Sequence, residues 1–194
     1  GGRGTLAAQG VAPARVPILV GTFGKAFGTA GAFVAGSREL VSYLTNFARD
    51  YVYSTHMPAA QAVATLAALR WVQQAEAERA HLQQLIAQFR QGASELGLQL
   101  LPSQTAIQPL LIGGSEQALA VARRLQAQGC WVSAIRPPTV PQGMARLRLT
   151  LTAAHTAGDV EQLLQALAQV ANQAGRIFHL RRRETAGPDC VFQA

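Results

Sequence analysis

The sequence predicts an α/β chain in two parts joined by a helix. Two short apolar runs bracket a glycine-rich loop near the start, and a long stretch of helical periodicity follows them. A strictly alternating segment lies beyond that stretch, among further strand and helix signals. Residues 1–57 read as the end of one domain, 58–95 as a connecting helix and 96–174 as a smaller α+β domain.

The elements follow in order. Val16-Pro17-Ile18-Leu19-Val20 is an apolar run feeding Gly21-Thr22-Phe23-Gly24-Lys25-Ala26-Phe27-Gly28, and Ala32-Phe33-Val34-Ala35 ends at Gly36. Two buried strands joined by a glycine loop are expected here. Ser37 supplies an N-cap oxygen for a helix to about Phe47, with Glu39 placed well against the positive end of the helix dipole. Tyr51 to Ser54 reads as extended. Pro58, tolerated in a first turn, opens the connecting helix, in which Trp71, Ala75, Glu78, Leu82, Leu85 and Phe89 recur at three- and four-residue spacing.

Beyond Gly97, strands are expected over 98–101, 107–112 and 130–135, with a helix from Ser115 to Gly129. Arg146-Leu147-Arg148-Leu149-Thr150-Leu151 alternates strictly, giving one wet and one dry face. Thr156 with Asp159 forms a capping box for a last helix to about Ala174. Periodicity then fails and charge rises, so 175–194 reads as a disordered tail.

Composition narrows the function. In 194 residues, 49% hydrophobic and 14% charged side chains are enough for a core and exclude an unfolded chain. Seventeen basic against ten acidic residues give +7. Most of the arginines are spread singly, which argues against a nucleic-acid face; only Arg181, Arg182 and Arg183 form a run. Two cysteines, Cys130 and Cys190, make no disulfide framework and suit the cytoplasm. No apolar stretch approaches the roughly 18 residues of a membrane span. No metal-ligand pattern is present.

Lys25 is the single lysine and sits inside the glycine loop. Glycines let backbone approach a ligand, phenylalanines exclude water, and Thr22 offers a hydroxyl to a phosphate. Lysine, phosphate anchor and apolar wall together suit a cofactor bound as an imine. A nucleotide P-loop does not fit, because Leu19 stands where its first glycine belongs and Ala26 follows the lysine.

The loop Gly21–Gly28 resembles the cofactor-lysine motif of the α-oxoamine synthases, which use pyridoxal 5'-phosphate. Tyr53-Ser54-Thr55-His56-Met57-Pro58, Ala134-Ile135-Arg136-Pro137-Pro138-Thr139-Val140-Pro141 and 145–155 match further motifs in the family's order. The likeness runs from about Gly1 to Val170 and implies the C-terminal part of a fold-type I pyridoxal-phosphate enzyme. By that resemblance residues 1–57 end the large cofactor-binding domain.

Lys25 would hold the cofactor and act as catalytic base, Thr22 would contact its phosphate, and Ser54 and Thr55 would approach the phosphate of a neighbouring subunit in a homodimer. Arg136 would pair with a substrate carboxylate and Thr139 would line the substrate site. Arg136-Pro137-Pro138-Thr139 is similar to the branch that condenses L-alanine with a pimeloyl thioester, carried by CoA or by acyl carrier protein, in biotin synthesis. A glycine-using branch and an inactive dimerisation module are the alternatives. The family's ring-holding aspartate and ring-stacking histidine would lie upstream of Gly1, so a fragment with little activity of its own is expected.

Overall fold

The computed structural model describes residues 2–173. The tail 175–194, with Arg181 to Arg183, lies outside them. The chain divides into two compact units between Arg79 and Ala80.

In the first unit a one-turn helix α1 (Thr5–Ala8) and a 3-10 turn (Pro13–Arg15) lead into β1 (Ile18–Thr22). β1 pairs antiparallel with β2 (Ala32–Gly36), in register from Ile18 opposite Gly36 to Thr22 opposite Ala32. A Cβ on Gly21 would stand 2.4 Å from Phe33 Cε1, so only glycine lets that ring lie across the ribbon. α2 (Arg38–Phe47) begins as expected: the Leu40 N–H donates to Ser37 Oγ at 3.2 Å. That cap and the backbone also hold the Glu39 carboxyl below its ordinary pKa, the backbone hydrogen bond contributing most.

Two expectations fail in this unit. Tyr51 and Val52 are not extended but lie in α3 (Arg49–Val52). Both their N–H groups bond the Ala48 carbonyl, at 2.9 Å each, and these local bonds override the β preference of the side chains. The ribbon is also not buried. No described residue of the first unit is, and Ile18 and Val20 are 53% and 65% exposed. Among the described residues the ribbon is only thinly covered, with Leu40 of α2 lying against Gly36 of β2, and two strands with so little across their faces stay wet.

The helical stretch 58–95 is two helices, α4 (Ala59–Gln74) and α5 (Glu76–Glu95), parted at Ala75, whose ψ of 44° leaves the helical range. Arg79 compensates for the break. Its Nη1 donates to the Val72 carbonyl at 2.8 Å, and its Nη2 to Glu76 Oε2 at 2.8 Å. The guanidinium thus stands in for a missing backbone donor. Chiefly through that hydrogen bond it also lowers the Glu76 pKa.

The second unit has a dry interior. β3 (Ile107–Gly113), β5 (Ala145–Thr150) and β4 (Ser133–Ile135) form an antiparallel sheet in the order β3-β5-β4. Alternation sends Leu110 and Ile112 of β3, and Ala145, Leu147 and Leu149 of β5, into the core. Arg146 and Arg148 take the other face. Leu85, Ile86 and Phe89 of α5 are buried in the same cluster. So are Val121 and Leu125 of α6 (Ser115–Ala127), and Val160, Leu167 and Val170 of α7 (Ala157–Gln173).

The capping box forms: the Thr156 N–H donates to Asp159 Oδ2 at 2.7 Å and the Asp159 N–H to Thr156 Oγ1 at 3.2 Å. The strand expected over 98–101 shrinks to one bridge, Leu100 to Leu110. Its would-be partner includes Pro109, which accepts from the Leu101 N–H but has no N–H to return. β4 is shorter than expected because the Cys130 N–H closes on the Leu125 carbonyl at 2.9 Å, after Gly129 at φ 81°.

Candidate active site

The glycine loop between β1 and β2 is ordered by its own backbone. The Phe23 N–H donates to the Gly31 carbonyl at 2.9 Å and the Thr29 N–H to the Phe23 carbonyl at 3.0 Å. At the loop's tip the Gly28 N–H reaches the Lys25 carbonyl at 2.9 Å. Gly28 has φ 62°, the left-handed conformation that favours glycine. Phe23 packs edge-on to Phe27 and tilted against Phe33, with centroids 5.4 Å apart in both pairs.

α4 anchors the same loop. Thr29 Oγ1 meets Thr65 Oγ1 of α4 at 2.8 Å, and Thr65 Oγ1 also reaches the Gln61 carbonyl at 2.9 Å. Met57 Cε lies 2.6 Å from where a Cβ on Gly31 would be. The sequence does not single out this Thr29–Thr65 link. A hydroxyl residue inside a glycine loop was the available signal.

On this frame Lys25 is exposed, and its amine has no hydrogen-bond or ion-pair partner among the described residues. Thr22 is exposed at the end of β1, three residues away. Thr55 follows α3 and also makes no hydrogen bond among the described residues. The Ser54 hydroxyl, by contrast, donates to the Asp50 carbonyl. Its proton is committed, and only its oxygen lone pairs remain to meet a ligand. The His56 Nδ1–H donates to the Met57 carbonyl at 2.7 Å.

In the second unit Arg136 and Thr139 end one turn, closed by the Thr139 N–H on the Arg136 carbonyl at 3.1 Å. The two prolines between them stiffen it. Both residues are exposed, and Arg136 has no ion-pair partner among the described residues. His155 stands at the entry to α7, its Nδ1 accepting from the Thr152 N–H at 3.0 Å. Burial pushes the Cys130 thiol up, so it is mostly protonated at neutral pH. Among the described residues no group of three His, Cys, Asp or Glu side chains could hold a metal, and no helix is long and apolar enough to cross a membrane.

A free amine, a nearby hydroxyl and a rigid aromatic-backed turn match what an aldehyde cofactor carrying a phosphate needs. The family model described as aminotransferase class I and II matches residues 3–167. The chain belongs to this family. An 8-amino-7-oxononanoate synthase from Aeromonas salmonicida is 64% identical over 89% of this chain and 44% of its own length. Its counterpart from Aeromonas hydrophila is 66% identical over 86% and 42%.

Solved structures agree on the fold. Serine palmitoyltransferase from Sphingomonas wittichii superposes with a TM-score of 0.82 at 31% identity, covering 89% of this chain and 44% of its own. The 8-amino-7-oxononanoate synthase of Francisella tularensis gives 0.77 at 28%, covering 89% and 50%. A structure of SPT with PLP gives 0.82 at 26% over 89% and 44%. The fold is therefore part of a fold-type I pyridoxal-phosphate enzyme, as the motifs implied, and the chain spans less than half the length of these two curated relatives.

Proposed function

We propose that this chain supplies the lysine-bearing part of an acyltransferase that condenses L-alanine with a pimeloyl thioester, on CoA or on acyl carrier protein, releasing carbon dioxide and the carrier's free thiol and giving 8-amino-7-oxononanoate. The observation that carries the reading is the unpartnered Lys25 amine in its ordered glycine turn, within a chain so similar to the 8-amino-7-oxononanoate synthases. Residues 1–57 are assigned to the end of the cofactor-binding domain, 58–95 to the connection and 96–174 to the small domain. The working enzyme is a cytoplasmic homodimer.

Pyridoxal phosphate, when bound, supplies the electron sink for the carbanion formed at the alanine α-carbon. Lys25 would hold the cofactor through its amine, and the same amine would serve as the general base for the alanine α-proton. Thr22 donates its hydroxyl to the phosphate. Thr55 offers a second hydroxyl to a phosphate across the dimer, and Ser54 offers a third once its O–H turns away from the Asp50 carbonyl. The Arg136 guanidinium pairs with the alanine carboxylate and orients the bond to be cleaved, while Thr139 lines the same pocket.

The test uses the single lysine. Incubation with pyridoxal phosphate and borohydride, followed by peptide mass mapping, should place one reduced adduct on Lys25, and Lys25→Ala should remove it. An adduct that survives in Lys25→Ala, or that forms only on the N-terminal amine, would overturn the assignment. The chain alone should turn over little L-alanine, and full turnover by it would contradict the proposed division of the site.

A further inference from the structure

Arg123 and Trp131 belong to none of the motifs above, yet they share a cleft of about 290 Å³ in the second unit. It lies between α6 and β4, which among the described residues is an edge strand paired with β5 alone. Leu119, Arg123 and Gln126 line it from one face of α6, as spacings of three and four require. Trp131, Ser133 and Arg136 line it from the strand side.

Three features bear on what the cleft takes. Among the described residues no acidic side chain lines it. Neither Arg123 nor Arg136 has a hydrogen-bond or ion-pair partner among the described residues. Trp131 is 81% exposed, an indole face left to solvent beside two unneutralised guanidiniums. Guanidiniums recognise phosphate through paired N–H donors, and an exposed indole stacks on a base. A purely apolar ligand would leave the arginines unused, and an inorganic anion would leave the indole bare.

We propose that this cleft binds a nucleotide, its base on Trp131 and its phosphate on Arg123, with Gln126 and Ser133 as neutral donors beside them. Arg136, at the far end, adds positive potential. It also begins the turn assigned above to the substrate carboxylate. If that assignment holds, the nucleotide is the carrier portion of the thioester substrate; the binding itself does not depend on it.

The test is calorimetric titration of the full chain with ADP, which needs neither cofactor nor turnover. Saturable binding with a Kd of about 1 mM or tighter is expected. Trp131→Ala and Arg123→Ala should each weaken it roughly fivefold or more, while Trp131→Phe, which keeps a stacking ring, should retain most of it. Far-UV circular dichroism melts establish that each variant is folded, and the retained binding of Trp131→Phe separates a lost stack from a lost fold. Absence of saturable heat with ADP would overturn the proposal. So would unchanged affinity in folded Arg123→Ala, or pyrophosphate binding as tightly as ADP.

Discussion

Gln108 offers a sharp test of how the second unit is held together. It is fully buried in β3, and both ends of its amide are used. Arg90 Nη1 donates to its Oε1 at 2.7 Å, and its Nε2 donates to the Thr105 carbonyl at 2.6 Å. Gln108→Leu keeps the volume but removes both bonds and strands a guanidinium N–H and a carbonyl. The bond to the charged donor is worth about 1.5–3 kcal/mol and the neutral one about 0.5–1.5 kcal/mol. Arg90 is only half-buried and keeps a long contact to the Leu101 carbonyl at 3.5 Å, so water and that contact recover part of the loss. A destabilisation of about 2–3 kcal/mol is expected. Adding Arg90→Met removes the stranded donor, so the double variant should be more stable than the two single losses combined, by about 1–2 kcal/mol. Urea unfolding followed by circular dichroism measures all four chains. Additivity within about 0.5 kcal/mol would show that the buried amide and Arg90 are not coupled.

Two further outcomes follow from local geometry. Hydrogen bonds from the Thr156 N–H and hydroxyl hold the Asp159 carboxyl below its ordinary 3.8, so at acid pH the unfolded chain binds the extra proton first. The stabilisation is therefore present at neutral pH and fades as pH falls through the lowered pKa; Asp159→Asn should flatten that acid limb in melts taken across pH. Gly21→Val would drive a side chain into the Phe33 ring and disturb the Phe23 and Phe27 contacts behind the lysine turn. Reductive trapping of pyridoxal phosphate on Lys25 should slow about tenfold or more, the usual scale for a misplaced reacting group, and an unchanged rate would show that the aromatic backing is dispensable.

Much of the second unit was legible because its signals are local or periodic. The alternation of 146–151, the Thr156–Asp159 box and the stop at Gly129 are each written within a few residues. The Ser37 cap and the glycine loop were legible for the same reason. What escaped depends on partners distant in sequence. Nothing next to Ala75 announces a break, since it is Arg79 that satisfies the Val72 carbonyl. Gln108 reads as a polar strand residue until Arg90, on another element, is brought to it. Tyr51 and Val52 carry β-forming side chains, yet the backbone bonds to Ala48 decide their state. At the site, residue type and spacing single out Lys25 and Thr22, but only the fold brings Ser54's hydroxyl to the Asp50 carbonyl and ties Thr29 to α4.

The contrast between the two units has a calorimetric consequence. Heat capacity and melting enthalpy on unfolding scale with the apolar surface newly exposed to water. The ribbon of β1 and β2 already shows Ile18, Leu19, Val20 and Val34 to solvent, so melting it uncovers little more. A scan of this chain should therefore record the second unit almost alone. Its enthalpy, divided over all 194 residues, would look too small for a folded protein of that length.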